Sequence, residues 1–432
     1  MSLNQQRRRR GFRRWAANGV FTALSTVVLT LTYLSTDDHL GVYGQVCALA
    51  GLALESVLAG LWLGFRPVGL TRVEAALFLC SALSLLVAEF RQDWFLMASS
   101  ATLVFALASI SLLARCLELR VILNSGILTS YLLVVLSWAF GAADILADAG
   151  AGGGERWNHR LAPLGNHPDL AGLIFSGLVI PLLARFGRAR AAERGLILGA
   201  VGGAVAIVLA TGARGGLAAF TASAALLIGE TLVFDRRKRG WLLAALSAIG
   251  LVALLFAGPL LAYVTRVLEL DSATRGLDSG GTGRFELWAR GANAILDMNA
   301  AMLVGGGFRS ANPDYIGFST ESSYVTLTLE FGLIGALLLL SQLWLWLQPA
   351  RGAGRDLFFV RWFILFMLIE SVFNRYLIAI GNPISLMFLM VLVAGEVELA
   401  ARGGRRARAI DALDARLFNR PRLEAGRGTS GG

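Results

Sequence analysis

The feature that most limits how this chain can fold is a succession of long apolar segments. They lie near residues 15–35, 40–64, 71–90, 93–114, 119–143, 168–186, 194–212, 215–234, 240–264, 320–347, 356–377 and 381–401. A helix needs roughly 20 predominantly apolar residues to cross about 30 Å of hydrocarbon. The pattern therefore predicts an all-α polytopic membrane protein with about twelve transmembrane helices. A hydrophobic share of 56% against 16% charged residues, with a mean hydropathy of +0.64, suits a bilayer and not a water-soluble domain.

The net charge of +10 does not point to nucleic acid, because the basic residues fall in short clusters between apolar spans. The opening MSLNQQRRRRGFRRW carries six arginines. The apolar run behind it continues to about Leu34 without a small-x-small cleavage site, as a retained first helix does. With that N-terminus inside, the links FRPVGLTR, ARCLELR, ARFGRARAAER, FDRRKRG and PARGAGR are cytoplasmic. The opposite links STDDHL, EFRQD and DILADAG are acidic or balanced. This is the positive-inside pattern, and it places both termini in the cytoplasm. Residues 1–401 then form a single transmembrane domain, and 402–432 a basic cytoplasmic tail, amphipathic or disordered, beside anionic lipid.

Two outer loops are long, about 144–167 and, between the ninth and tenth spans, about 265–319. The second carries five arginines and six acids. Its segment RFELWARGANAILDM has helical spacing suited to the membrane surface, and GGGF at 305–308 reads as a turn. Loops this long are commonly functional. The sequence contains no Walker-type P-loop, no GxGxxG after a strand, no CxxC and no HExxH. Cys47, Cys80 and Cys116 stand far apart without metal-ligand spacing and read as small core residues. Neither a metal nor a cofactor is expected.

The polar residues of the outer side carry the functional expectation. Arg214, in TGARGG, joins two apolar spans. It either snorkels to the interface and marks the turn, or it faces a water-filled cavity and binds an anion. Arg284 and Trp288 are four apart and share a helical face, as interfacial anchors or as part of a site. In FSTESSYVTLTLEFGLIG, Ser319 or Thr320 can cap the tenth span with Glu321 in its first turn. A neighbouring arginine would keep Glu321 ionised and able to act as a base. In GNHPDLAGL, Pro168 suits the first helical position and Asp169 the first turn, beside His167, structural or catalytic. Arg375, in FNRY, is a buried cation that pairs with Glu370, with a carbonyl, or with a ligand.

These stretches together resemble the O-antigen ligase and O-antigen polymerase superfamily of bacterial inner-membrane proteins, in order from about residue 160 to 345. LGNHPDLAGLI resembles the segment that opens a helix after an outer loop. LATGARGGLAAF resembles the T-G-S-R-G pattern, and GRFELWARGANAILDMNAAMLVGGGF the G-R-x-x-x-W segment with its Gly-rich turn. SSYVTLTLEFGLIG resembles the H-N-x-Y-L-x-L-L-x-E-x-G-L-I-G helix, with Glu321 and Ser322 where that pattern has histidine and asparagine.

The resemblance implies a GT-C-like helical fold. It implies transfer of a glycan from an undecaprenyl diphosphate carrier to an acceptor on the periplasmic face of the inner membrane, without a metal. Arg214 and Arg284 would grip the diphosphate, with Arg309 and Arg375 as further candidates. Glu321 would replace the histidine as base, or His167 would take that role, with Ser322, Tyr324 and Asp169 toward the acceptor. The acceptor is a glycan for a polymerase, with a chain-length regulator as a further partner, or lipid A-core for a ligase proper. A lipid-linked-oligosaccharide flippase and an inactive scaffold are the readings from other classes.

Overall fold

A computed structural model describes residues 3–35, 41–150, 163–165, 167–186, 189–234, 284–348 and 355–418, with scattered positions between 239 and 265. The helices are α1 (Leu3–Leu34), α2 (Gly41–Leu63), α3 (Arg72–Arg91), α4 (Trp94–Cys116), α5 (Leu119–Gly150), α6 (Pro168–Phe186), α7 (Ala191–Thr211), α8 (Arg214–Phe234), α9 (Arg284–Asp297), α10 (Pro313–Ile316), α11 (Ser323–Leu347), α12 (Arg355–Glu370) and α13 (Pro383–Phe418). No strand occurs among the described residues. Among the described residues, nine helices are long and apolar enough to cross a membrane: α1 to α7, α11 and α13. The chain is a multi-pass, all-α membrane protein, the class that its hydropathy predicts.

Of the three other expected spans, the eighth forms as α8, and the ninth, near 240–264, lies largely outside the described residues. The eleventh is corrected. Instead of running to residue 377, α12 stops at Glu370 after 16 residues, and 371–382 form a series of turns. The reason is that the backbone there finds other partners. The Ser323 amide donates to Ser371 O (2.8 Å). The Ser323 hydroxyl donates to Asn374 O (2.6 Å) and accepts from the Leu377 amide (3.1 Å). Asn382 Oδ1 then accepts from the Ile384 amide (2.9 Å), and Pro383 opens α13 at a position that needs no amide donor.

Other boundaries move too. α5 enters the expected 144–167 loop as helix up to Gly150, with a non-helical residue at Gly141. Residues 151–162 and 266–283 of the two long loops lie outside the described residues. α13 continues without a break through Arg402 to Phe418, so the expected tail begins as helix. Cys80 and Cys116 are buried, but Cys47 is exposed, because α2 packs against α1 and α4 with its other face.

The centre of the bundle is α6, buried from Leu170 to Leu182 and packed against α5, α7, α8, α12 and α13. Its approach to α8 is close. A Cβ at Gly216 would stand 2.8 Å from both Gly172 O and Ser176 Oγ. Small residues at such a crossing let helix backbones touch, the usual source of packing energy between helices in lipid. One end of the bundle gathers the last turn of α1, the starts of α2, α4, α6, α8 and α11, and the 371–382 segment.

Candidate functional site

α11 supplies the frame of this end. At Gly332 the backbone turns to φ 69° and ψ 177°, which breaks the helix inside a membrane span. A helical break frees carbonyls that lipid cannot satisfy. Here the Gly-rich turn does so, with the Gly306 amide donating to Leu329 O (2.7 Å) and the Gly307 amide to Glu330 O (3.0 Å). The Glu330 carboxylate, buried, accepts from the Arg309 amide through Oε1 (2.9 Å). GGGF is therefore a turn, as expected, and also the plug that fills the break in α11.

Beside this plug lies a cavity of about 720 Å³. Arg309, Arg375, Glu330, Asn312, Gln45 and Asn382 supply much of its polar lining, with Phe95, Phe308 and Tyr376 as aromatic walls. Asn382 Nδ2 is buried and has no hydrogen-bond partner among the described residues. The Arg309 guanidinium lies 5.5 Å from the Phe95 ring centre, and that of Arg375 lies 5.8 Å from Tyr376. At the rim, the Tyr315 hydroxyl donates to Asp93 Oδ2 (2.7 Å), and its ring stacks on Phe95. That bond, with the Leu96 amide, holds the Asp93 carboxyl below its usual range. Arg309 has a left-handed backbone at φ 66°, one of the few non-glycine residues to do so, and Glu321 is another at φ 49°. Such strain persists only where its surroundings enforce it, and it gathers at functional sites.

The second polar group gathers around Glu370 and Phe373, where α12 gives way to the 371–382 segment. α7 ends at Thr211 with a left-handed Gly212, and Arg214 opens α8. Beside it, a Cβ at Gly215 would lie 3.0 Å from Phe373 Cβ and 3.6 Å from Glu370 Oε1. The Arg284 guanidinium lies 5.9 Å from the Phe373 ring centre. Phe373 thus ties the start of α8 to the start of α9. Both Arg284 and Asp169 are near enough to Glu370 for their charges to act on it. Glu370 is 2% exposed and accepts from Asn374 through Oε1, while Oε2 has no hydrogen-bond partner among the described residues. α8 also presents the amides of its first turn, which favour an anion.

α9 forms where the pattern in RFELWARG predicts it, and Gly291 is its buried residue. Gly291 meets Val325 of α11, so the face through Arg284, Trp288 and Gly291 turns inward, while Phe285 and Leu296 are exposed. Trp288 Nε1 donates to Glu321 O (3.4 Å), which sets Glu321 one helical turn along α9 from Arg284. The expected helix position of Glu321 is corrected. Ser322 is the N-cap residue, without a side-chain cap bond, and α11 starts at Ser323, so Glu321 precedes the helix. The bonds from Ser323 to the 371–382 segment fix that start. The Glu321 carboxylate instead accepts from the Ser319 hydroxyl (2.7 Å).

The remaining expected residues separate. Ser322 Oγ donates to Ser371 O (3.3 Å) and Tyr324 OH to Leu368 O (2.6 Å), so both bind the 371–382 segment and the end of α12. His167 is exposed, and its Nδ1 accepts from the Asp169 amide (3.3 Å) ahead of α6. It does not line the cavity. Sequence reasoning did not single out Glu330 or Asn382, and considered Glu370 only as a partner for Arg375. The available signal was a carboxylate inside an apolar span, which is expensive unless it has work to do.

The arrangement defines a membrane-embedded, helical protein with clustered arginines and a polar cavity at one end of its bundle. Residues 198–340 match the family model described as O-antigen ligase, which supports the O-antigen ligase and polymerase superfamily. The matched stretch contains Arg214, Arg284, Arg309, Glu321 and Glu330; His167, Asp169, Glu370 and Arg375 lie outside it. No curated protein matches the chain. The family match indicates activity of the O-antigen ligase or polymerase type, glycan transfer involving a lipid-linked glycan and an acceptor.

Proposed function

We propose that the chain transfers or polymerises a glycan carried on undecaprenyl diphosphate, at the periplasmic face of a bacterial inner membrane, by an inverting and metal-independent displacement. The observation that carries this reading is the convergence of α8 and α9, opened by Arg214 and Arg284, on Phe373 and Glu370.

The donor sugar carries the lipid diphosphate on its anomeric carbon. The acceptor hydroxyl oxygen attacks that carbon, and the bond from carbon to the diphosphate oxygen breaks. The diphosphate leaves with the electron pair, and the acceptor proton passes to a carboxylate. Arg214, Arg284 and the first amides of α8 meet the charge that develops on the leaving group. Glu321, one turn along α9 from Arg284, takes the proton. The 720 Å³ cavity, with Arg309, Arg375 and its aromatic walls, receives the glycan. Polymerase and ligase share this step and differ in acceptor.

The test is a turnover assay in detergent with a lipid-linked donor and no sealed compartment. Arg214→Ala and Glu321→Gln each lower turnover roughly a hundredfold while the protein stays folded. Normal turnover in well-folded variants overturns the residue roles. No turnover by the unaltered chain with any acceptor overturns the enzyme reading in favour of a transporter or scaffold.

A further inference from the structure

A second and smaller cavity lies between α5, α6 and α12, at the opposite end of the bundle from the arginine cluster. Its volume is about 150 Å³, and its lining includes Arg120, Asn124, Ile127, Pro181, Arg185 and Trp362. It is about a fifth the size of the other cavity, roughly 150 against 720 Å³.

Its polarity runs in one direction. Along α5, Arg120, Asn124 and Ile127 follow one another on one face, from an exposed arginine at the first turn to an apolar side chain two turns in. α6 runs the opposite way and repeats the order, with Arg185 in its last turn and Pro181 deeper. α12 adds Phe358, 40% exposed, near its start and Trp362 one turn further in. Both cations therefore stand at the mouth, and below Asn124 the walls are apolar. Trp362 is held as a wall, because its Nε1 donates to Ser223 Oγ (3.2 Å) and its ring stacks on Phe220. Arg185 uses Nε to pair with Glu193 (2.6 Å) and keeps its terminal amino groups for a further acceptor. The mouth thus retains a positive charge after that pair is counted.

We propose that this groove binds an anionic glycerophospholipid of the adjoining leaflet, with the phosphate against Arg120 and Arg185 and one acyl chain along Ile127, Pro181 and Trp362. Two guanidiniums above an apolar slot match an anionic head on a hydrocarbon tail. A basic side chain at a membrane surface attracts anionic lipid, and a pocket between helices makes that attraction specific. The site is separate from glycan transfer and stands or falls without it.

The experiment uses the full chain in nanodiscs of phosphatidylcholine, with a fixed fraction replaced by dibrominated phosphatidylglycerol or dibrominated phosphatidylcholine. Bromine quenches nearby tryptophan, and the Trp362 signal is the difference between the unaltered chain and Trp362→Phe. The phosphatidylglycerol probe should quench that signal with roughly tenfold preference, falling to about twofold in Arg120→Gln/Arg185→Gln. Arg120→Gln alone leaves the pair with Glu193 intact and should lose part of the preference, which keeps the test valid if the double variant misfolds. Equal quenching by both lipids, or a preference untouched by Arg120→Gln, overturns the proposal.

Discussion

The two ends of the bundle treat buried carboxylates in opposite ways. Where α3 starts and α4 ends, Glu74 is saturated. Its Oε1 accepts from Ser111 and from Arg115 Nη1, and its Oε2 accepts from Arg115 Nη2 (3.0 Å) and the Thr71 amide (2.8 Å). Thr71 and Glu74 also form the capping box of α3. At the other end Glu370 accepts one bond, from Asn374, and its second oxygen has no hydrogen-bond partner among the described residues. Arg309 and Arg375 there rest against aromatic rings and line a cavity. A polar group whose bonding capacity is filled by its own fold holds helices together. One left partly unfilled, as Glu370 is at Oε2, keeps bonding capacity that its own fold does not use.

Substitutions can break that contrast or sharpen it. Glu74→Ala has the largest expected effect, because it strands the Arg115 guanidinium among helix ends. A loss of about 3–5 kcal/mol in stability is expected, with turnover per folded molecule unchanged. Denaturation in detergent and a turnover assay on the folded fraction check both halves. If turnover falls as it does in Arg284→Ala, the two ends do not differ in kind. Arg284→Ala should do the reverse, lowering transfer roughly a hundredfold, about 3 kcal/mol in the transition state, with the thermal midpoint nearly kept.

Gly332→Ala comes next. It forces a side chain onto a left-handed residue and toward Leu303 O, whose contact leaves no room for a Cβ. A cost of about 1–3 kcal/mol is expected, together with lower turnover as the 305–309 turn leaves the broken helix. A variant as active and stable as the unaltered chain would mean that the plug does not frame the site.

The smallest effect belongs to Tyr315→Phe at the cavity rim. Tyr315 lowers the folded-state pKa of Asp93 below its ordinary 3.8. That contribution is therefore present above the ordinary value and lost as pH falls through the lowered one. The unaltered chain should lose more of its thermal stability between about pH 7 and about pH 3 than Tyr315→Phe does. Equal losses would show that the rim contact is not formed in solution.

Much of the frame was legible because hydropathy is a local sum. Most of the spans, the opening of α6 at Pro168, the turn between α7 and α8, and the shared helical face of Arg284 and Trp288 follow from residues within a few turns of one another. The stop of α12 at Glu370 was not legible, because Phe359, Phe363 and Phe366 give no sign of it. It depends on Ser323, far away in the chain, taking the carbonyls that a continued helix would have used. The position of Glu321 depends on the same bonds.

The sequence by itself determined that this is a many-span helical membrane protein, and it supplied the residues with charge to spend on a ligand. Tertiary structure alone decided which of those charges are filled and which are left open. It joined Gly215 to Phe373, closed the Gly-rich turn over the break at Gly332, and set Glu370 rather than Arg375 beside the start of α8. The physical reason is that span formation needs only a helix and lipid. Bond saturation inside a bundle depends on where several helices cross, and no single segment encodes that.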